Sequence, residues 1–412
     1  MPHTNTLYLD DARIGRFRPK ARKLYQGFLD FVADAPSSRK VLDLLTDGFV
    51  TGPKTNSSPI RSLKDWPGVN QFRDALALGV LNTSRRDVYL ASRSRALMKL
   101  GARMLTRACH RCLSVDLNWP VYQHDLAEEA KQVDCDIVVG RIQDHIIVNR
   151  WDTDDICSYL SDVYARYRCD GLFLPAVDSM GIRLPIVEIV DRLRSNNEVR
   201  FVLVDAAQAF GLTDLSEISG SADFVVAGTH KWVGSYIPLG VGLATNPKSQ
   251  QWIANFVNSA IGTKSGEDSL MHMLHAIDQG RDTRFPETVN LGGLFAGYGA
   301  WMATPSPMSA LPIRISNADC VTAIAEYNGW NALRPDESLR TGSLVLQSTD
   351  PQMPKRDGDS LRESFAEAGI VLSTYSNGII RMAMPDQLLT TEQFLSIQSA
   401  FIHVDNPMRV AC

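Results

Sequence analysis

Short, uniformly apolar runs alternate along this chain with longer stretches whose apolar positions recur every three to four residues. Runs of the first kind occupy 89–91, 113–117, 137–139, 146–148, 171–174, 201–204, 224–227 and 241–244. Three to five residues with few polar alternates suit strands covered on both faces. Phe201-Val202-Leu203-Val204 is too continuous for a half-exposed strand and predicts a central one. Amphipathic stretches at 20–31, 94–106, 155–167 and 186–194 read as helices, the last begun near Pro185. Strands separated by helices predict an α/β fold: a mostly parallel central sheet covered by helices. Beyond about Pro312 the pattern changes to helical stretches at 361–368 and 392–401 with short strands such as 378–382 between them. That predicts a smaller α+β domain. The expected division is an N-terminal arm or piece of the small domain (1–70, with an apolar segment at 41–45 and a turn-rich one at 51–59), a large domain (71–310) and a C-terminal small domain (311–412).

Composition narrows the function classes. The 412 residues are 44% apolar and 21% charged, as in ordinary globular enzymes. A net charge of -4, without a basic tract carrying interleaved aromatics, argues against nucleic-acid binding. No run of about 18 apolar residues predicts a membrane span, and residues 1–10 lack a signal-peptide core. Seven cysteines in a chain this long do not make a disulfide scaffold and suit a reducing, cytoplasmic setting. Cys109 and Cys112 bracket His110 with no second pair nearby, so they read as free thiols between a helix and a strand, and no metal site is expected.

Candidate chemistry concentrates where two predicted strands end. Asp205 closes the run 201–204 and is followed by Ala206-Ala207-Gln208; Thr229-His230-Lys231 follows the run 224–227. A carboxylate at the end of a buried strand needs a cationic or hydrogen-bonding partner. Strand ends of an open sheet converge on the ligand crevice, so Asp205 and Lys231 can face one bound group. A pyridine nitrogen kept protonated by Asp205, with an aldehyde carbon on Lys231, satisfies both charges and makes the ring an electron sink.

From Asp205-Ala-Ala-Gln208 and His230-Lys231 the sequence resembles the class V aminotransferase family of fold-type I pyridoxal-phosphate enzymes, over roughly residue 70 to the C-terminus. That family includes cysteine desulfurases, kynureninases and isopenicillin-N-epimerase-like proteins. The resemblance implies pyridoxal 5′-phosphate held as a Schiff base on Lys231, Asp205 on the pyridine nitrogen, Gln208 near the phenolic oxygen and His230 near the phosphate. Ser92-Arg93-Ser94 opens a helix after a strand, where amides and hydroxyls can take a phosphate. The family usually has a glycine-threonine-rich turn there, so Arg93 or Arg95 would add charge instead. Trp119 falls where the family sets an aromatic ring over the cofactor, the alternative being a core tryptophan. Asp178 stands where asparagine is usual near the phenolic oxygen, the alternative being a turn cap. Thr288, in Glu287-Thr288-Val289-Asn290, matches the threonine that reaches the partner subunit's phosphate and implies a homodimer. Arg381 matches the arginine that clamps the substrate α-carboxylate, for which its planar fork is suited.

A desulfurase needs a nucleophilic cysteine on a loop upstream of that arginine. Residues 369–378 contain none, and Cys320 and Cys412 lie in poor contexts for the duty. The first expectation is therefore an aminotransferase acting on an amino acid with a free carboxylate. The alternative is a lyase cleaving a C–S or related bond at Cβ, with epimerase and decarboxylase chemistry further behind and cysteine desulfurase disfavoured.

Overall fold

The computed structural model describes residues 6–34, 38–49, 60–80, 88–248, 250–253 and 290–405. A two-residue strand, β1 (Leu7–Tyr8), precedes helices α1 (Pro19–Asp34), α2 (Ser38–Asp47) and α3 (Val69–Val80). Next come β2 (Val88–Ala91), α4 (Ser94–Ala108), β3 (Arg111–Val115), α5 (Pro120–Lys131), β4 (Asp136–Gly140), α6 (Gln143–Ile147) and α7 (Thr153–Tyr167). The series continues with β5 (Gly171–Pro175), α8 (Ile186–Asn196), β6 (Phe201–Asp205), β7 (Phe224–Gly228) and β8 (Gly240–Ala244). The remainder is α9 (Leu291–Trp301), α10 (Pro307–Tyr327), β9 (Trp330–Ala332), β10 (Ser343–Ser348), α11 (Gly358–Glu367), β11 (Ile370–Val371), β12 (Ser373–Tyr375), β13 (Ile379–Ala383) and α12 (Thr391–Asp405).

Strands β2 to β8 form one seven-stranded sheet in the order β2-β8-β7-β6-β5-β3-β4. Every pairing from β7 to β4 is parallel, and β8 runs antiparallel to both β7 and β2. The run 201–204 is at the centre, as its composition predicts. Its side chains alternate between two cores: Val202 and Val204 join one, Phe201 and Leu203 the other. β7 repeats the pattern, with Val225 and Ala227 on one side and Phe224 and Val226 on the other. Burial of both faces is why these strands lack polar alternates. Helix α4 lies close on the second face, where a Cβ on Gly101 would come within 2.6 Å of Leu203 Cδ1.

The expected strand at 146–148 is instead the end of α6, a one-turn helix, followed by the turn at Val148. Asp116 accepts the Ile142 and Gln143 amides at 3.0 and 3.2 Å, which satisfies donors at the helix start. His145 then stacks on Trp151 at 4.1 Å. These contacts override the β-branched composition. Strand β3 also sits two residues earlier than the run at 113–117 suggests, because the chain turns at Asp116.

A second, antiparallel sheet has the order β12-β13-β10-β9 and packs with α10, α11 and α12 around its own core. β1 pairs in parallel with β11, and the Ala383 amide donates to Leu9 O at 2.7 Å. The chain then crosses to the seven-stranded sheet, where the Gly15 amide donates to His230 O at 2.7 Å. A Cβ on Gly15 would lie 1.8 Å from Lys231 O, so only glycine allows this approach. The N-terminal segment thus straps the small sheet to the loop after β7.

Candidate active site

A cavity of about 680 Å3 opens where the C-terminal ends of the parallel strands face the small sheet. This size is within the roughly 300–1,000 Å3 common for small-molecule sites. Asp205 ends β6; His230 and Lys231 follow β7; Asp178 follows β5; Trp119 follows β3; Arg93 and Ser94 follow β2. All of these line the cavity, together with Gln208 and with Arg381 from β13 of the small sheet. Such convergence is what an open α/β sheet provides at its carboxyl edge. Ser92 stands in the turn between β2 and α4 and is not among the lining residues. Thr288 lies outside the described residues, as do 51–59 and Cys412. Asn290, from the same segment as Thr288, caps α9 by accepting the Gly293 amide at 3.2 Å.

The base of the cavity is electrostatically strained. Asp205 is buried, and its one printed hydrogen bond is from the Ala207 amide, at 2.8 Å. Burial pushes its carboxyl up to about 6, opposed by that amide and by Lys231. Lys231 is pushed down to about 8, first by desolvation, with Asp205 opposing and Arg381 reinforcing. Its side chain keeps partial exposure because it stands in the cavity. The Gly234 amide holds Lys231 O at 2.8 Å, and Gly234 supplies the positive φ (79°) that closes this turn. Burial also pushes His230 down to about 4, helped by Lys231 and Arg93, and its buried Nδ1 has no partner among the described residues.

Beside His230, α4 begins at Ser94 with no side chain capping its first amides. Ser94 Oγ is 3.1 Å from Tyr122 OH, which also lines the cavity. A Cβ on Gly240 would lie 2.5 Å from the Arg93 carbonyl carbon, so β8 packs against this turn through a bare backbone. Of the two arginines expected here, Arg95 is bound bidentately by Asp125 at 2.9 Å for both contacts. Arg93 is exposed and makes no ion pair among the described residues. Uncapped amides, a hydroxyl, an unpaired imidazole nitrogen and a guanidinium together make an anion-binding corner.

Trp119 is 49% exposed, which excludes the core reading and leaves the indole at the cavity wall. Asp178 does cap a turn: its Oδ1 accepts the Met180 and Ile182 amides at 2.9 and 2.7 Å. It also lines the cavity, and burial raises it to about 7 against those amides. Gln208 donates to Ala12 O at 2.8 Å and accepts from Trp232 Nε1 at 3.0 Å, leaving one amide hydrogen for a ligand.

At the opposite end Arg381 is buried, with Nη1 donating to Ser179 O at 2.6 Å and Nη2 to Ser373 Oγ at 3.0 Å. Its Nε is buried and unpartnered among the described residues. Asp10 Oδ1 lies 3.7 Å from Nη2 and accepts a hydrogen bond from Ser373 Oγ. Asp10, Ser373 and Tyr122 were not legible as site residues in the sequence. A contact between residues 10 and 381 leaves no local pattern.

No protein-family model matches the sequence, and no curated protein does. Solved structures do match over nearly the whole chain. The cystine C–S lyase C-DES, in complex with its product cysteine persulfide, is 14% identical, with 97% of each chain covered and a TM-score of 0.71. The cysteine desulfurase CsdA from Escherichia coli is 13% identical, covering 98% of this chain and 95% of that one at a TM-score of 0.69. A NifS-like protein is 12% identical, covering 98% and 100% at 0.65. The chain has the fold-type I pyridoxal-phosphate architecture. In fold-type I terms, the seven-stranded sheet is the large-domain sheet and the four-stranded one belongs to the small domain. Among the described residues no helix is long and apolar enough to cross a membrane.

Proposed function

We propose that this chain is a pyridoxal-phosphate-dependent lyase that eliminates a β-substituent, sulfur-linked in the first instance, from an α-amino acid with a free carboxylate. The observation that carries the reading is one cavity lined by Asp205, Lys231 and Arg381 and, among the described residues, by no cysteine. Fit to the cofactor is supported by the donor set: a carboxylate for a pyridinium, an amine for an aldehyde, and the anion-binding corner with its unpartnered His230 Nδ1 for a phosphate. Trp119 is available to stack on a ring. When bound, pyridoxal phosphate supplies an electron sink for the pair released at Cα.

The chain's own residues have complementary tasks. Arg381 receives the α-carboxylate through Nε and thereby orients Cα. Lys231, with its proton affinity lowered by burial, is largely a free amine above about pH 8 and accepts the Cα proton. The same amine, once protonated, is the acid nearest a departing β-substituent. Asp205 holds the positive charge on a ring nitrogen, which relieves the cost of its own burial. The net products are a 2-keto acid, ammonia and the protonated leaving group, with one water consumed.

The lyase reading is preferred to the aminotransferase expected first, because the similar structures include a named C–S lyase and desulfurases. Desulfurase chemistry needs a thiol that the cavity lining lacks. A homodimer is part of the same proposal, and analytical ultracentrifugation tests it. For the reaction, S-substituted cysteines are incubated with the cofactor-loaded protein without any keto acid. Continuous release of keto acid and ammonia in equal amounts is expected. A single turnover that resumes only on adding a keto acid would overturn the lyase in favour of the aminotransferase.

A further inference from the structure

The cavity is far more cationic than catalysis at one carboxylate requires. Arg13, Arg93, Arg95, Arg362, Arg381 and Lys231 line it, against the carboxyls of Asp178 and Asp205, in a chain whose net charge is -4. Arg95 is neutralised by Asp125, and Arg93 stands at the His230 corner. Arg381 suffices for an α-carboxylate. Two guanidiniums, on Arg13 and Arg362, are left over.

We infer that the substrate's side chain ends in a second oxyanion, which Arg13 and Arg362 receive while Arg381 holds the α-carboxylate. This rests on the reading of the cavity as an amino-acid site. Both arginines belong to the Arg381 end of the cavity. Arg13 is on the N-terminal strap, three residues after Asp10, whose carboxyl lies 3.7 Å from Arg381. Arg362 is on α11, which packs against β12, the strand carrying Ser373 and Tyr375. The fields of Arg13, Arg362 and Arg381 all act on Asp10. Tyr375, whose ring is 5.8 Å from the Arg381 guanidinium, feels Arg13 as well.

Neither arginine is spoken for. Arg13 makes no ion pair among the described residues and is exposed at the mouth. Arg362 has a buried, unpartnered Nε, and its one ion pair is to Asp359, a highly exposed neighbour one helical turn away. Such an exposed pair is weak and readily exchanged for a ligand. Asp10 does not neutralise the pair, because it is engaged with Ser373 and Arg381. A dicarboxylic or similarly acidic amino acid would match the three arginines, and a neutral side chain would leave two unmatched.

The test is spectral titration of the cofactor-loaded protein with S-carboxymethylcysteine and its neutral isostere S-carbamoylmethylcysteine, with S-sulfocysteine as a different oxyanion. The acids are expected to bind at least about tenfold tighter than the amide, as one charge-assisted contact permits. In R13Q/R362Q the preference should fall to near unity, while R13K/R362K, which keeps the charges, should retain most of it. Equal binding of acid and amide by the unaltered protein would overturn the proposal, as would a preference that survives R13Q/R362Q intact. A spectrum unchanged by every amino acid would overturn the reading of the site itself, which distinguishes the two failures.

Discussion

Replacing Asp205 by asparagine should stabilise the cofactor-free protein while crippling it as an enzyme. The carboxyl is buried, its one printed hydrogen bond comes from the Ala207 amide, and desolvation moves it from 3.8 to about 6. At about 1.36 kcal/mol per pKa unit, keeping it ionised at neutral pH costs the fold up to about 3 kcal/mol. The sign follows from proton counting. Between the unfolded and folded values the native state binds more protons, so stability falls as pH rises through that interval. The cost is complete above about pH 6 and gone below about pH 4. Asparagine keeps an oxygen for the Ala207 amide and never carries the charge. Urea unfolding of the cofactor-free proteins should therefore favour D205N by about 1–3 kcal/mol at neutral pH, with the gap closing toward about pH 4. With cofactor added, the order should reverse, because only the carboxylate gains a cationic partner. An asparagine variant less stable than its parent at neutral pH, or a gap indifferent to pH, would refute the argument that this carboxylate is paid for by its ligand.

Three further outcomes follow from the same geometry. Lys231→Ala should keep its circular dichroism but retain no cofactor covalently after borohydride reduction, as read by mass spectrometry. Cofactor capture by the unaltered protein should accelerate as pH rises through about 8, where the buried amine loses its proton. Arg381→Gln should lower kcat/KM for amino acids by roughly 10- to 100-fold, as loss of a charged hydrogen bond implies, but barely affect the corresponding amino-acid amides. Asp10→Asn leaves Arg381 in place but loosens it through Ser373. It should raise KM by about tenfold, the scale of a single polar contact, with little change in kcat. An equal fall in kcat would mean that Asp10 acts otherwise than by positioning the arginine.

Much of the large sheet was legible in the sequence because its determinants are local. Phe201-Val202-Leu203-Val204 is apolar throughout since both its faces are covered, and that alone marks a central strand. Asp205 and Lys231 were recognisable because each ends such a run, and fold-type I sheets gather their ligands at that edge. Their environments were not legible. Whether Gln208 was free depended on Ala12 O and Trp232 Nε1, and whether Arg95 was available depended on Asp125. Residues 146–148 read as a strand by composition, yet a carboxylate thirty residues upstream, Asp116, caps a helix there instead. The largest share left to tertiary structure was the N-terminal strap. It brings Asp10 and Arg13 to Arg381, which is joined to them by no periodicity or spacing. Sequence fixes which groups exist and what each strand can bury; long-range packing alone sets which charges meet, how dry they are, and hence what they can bind.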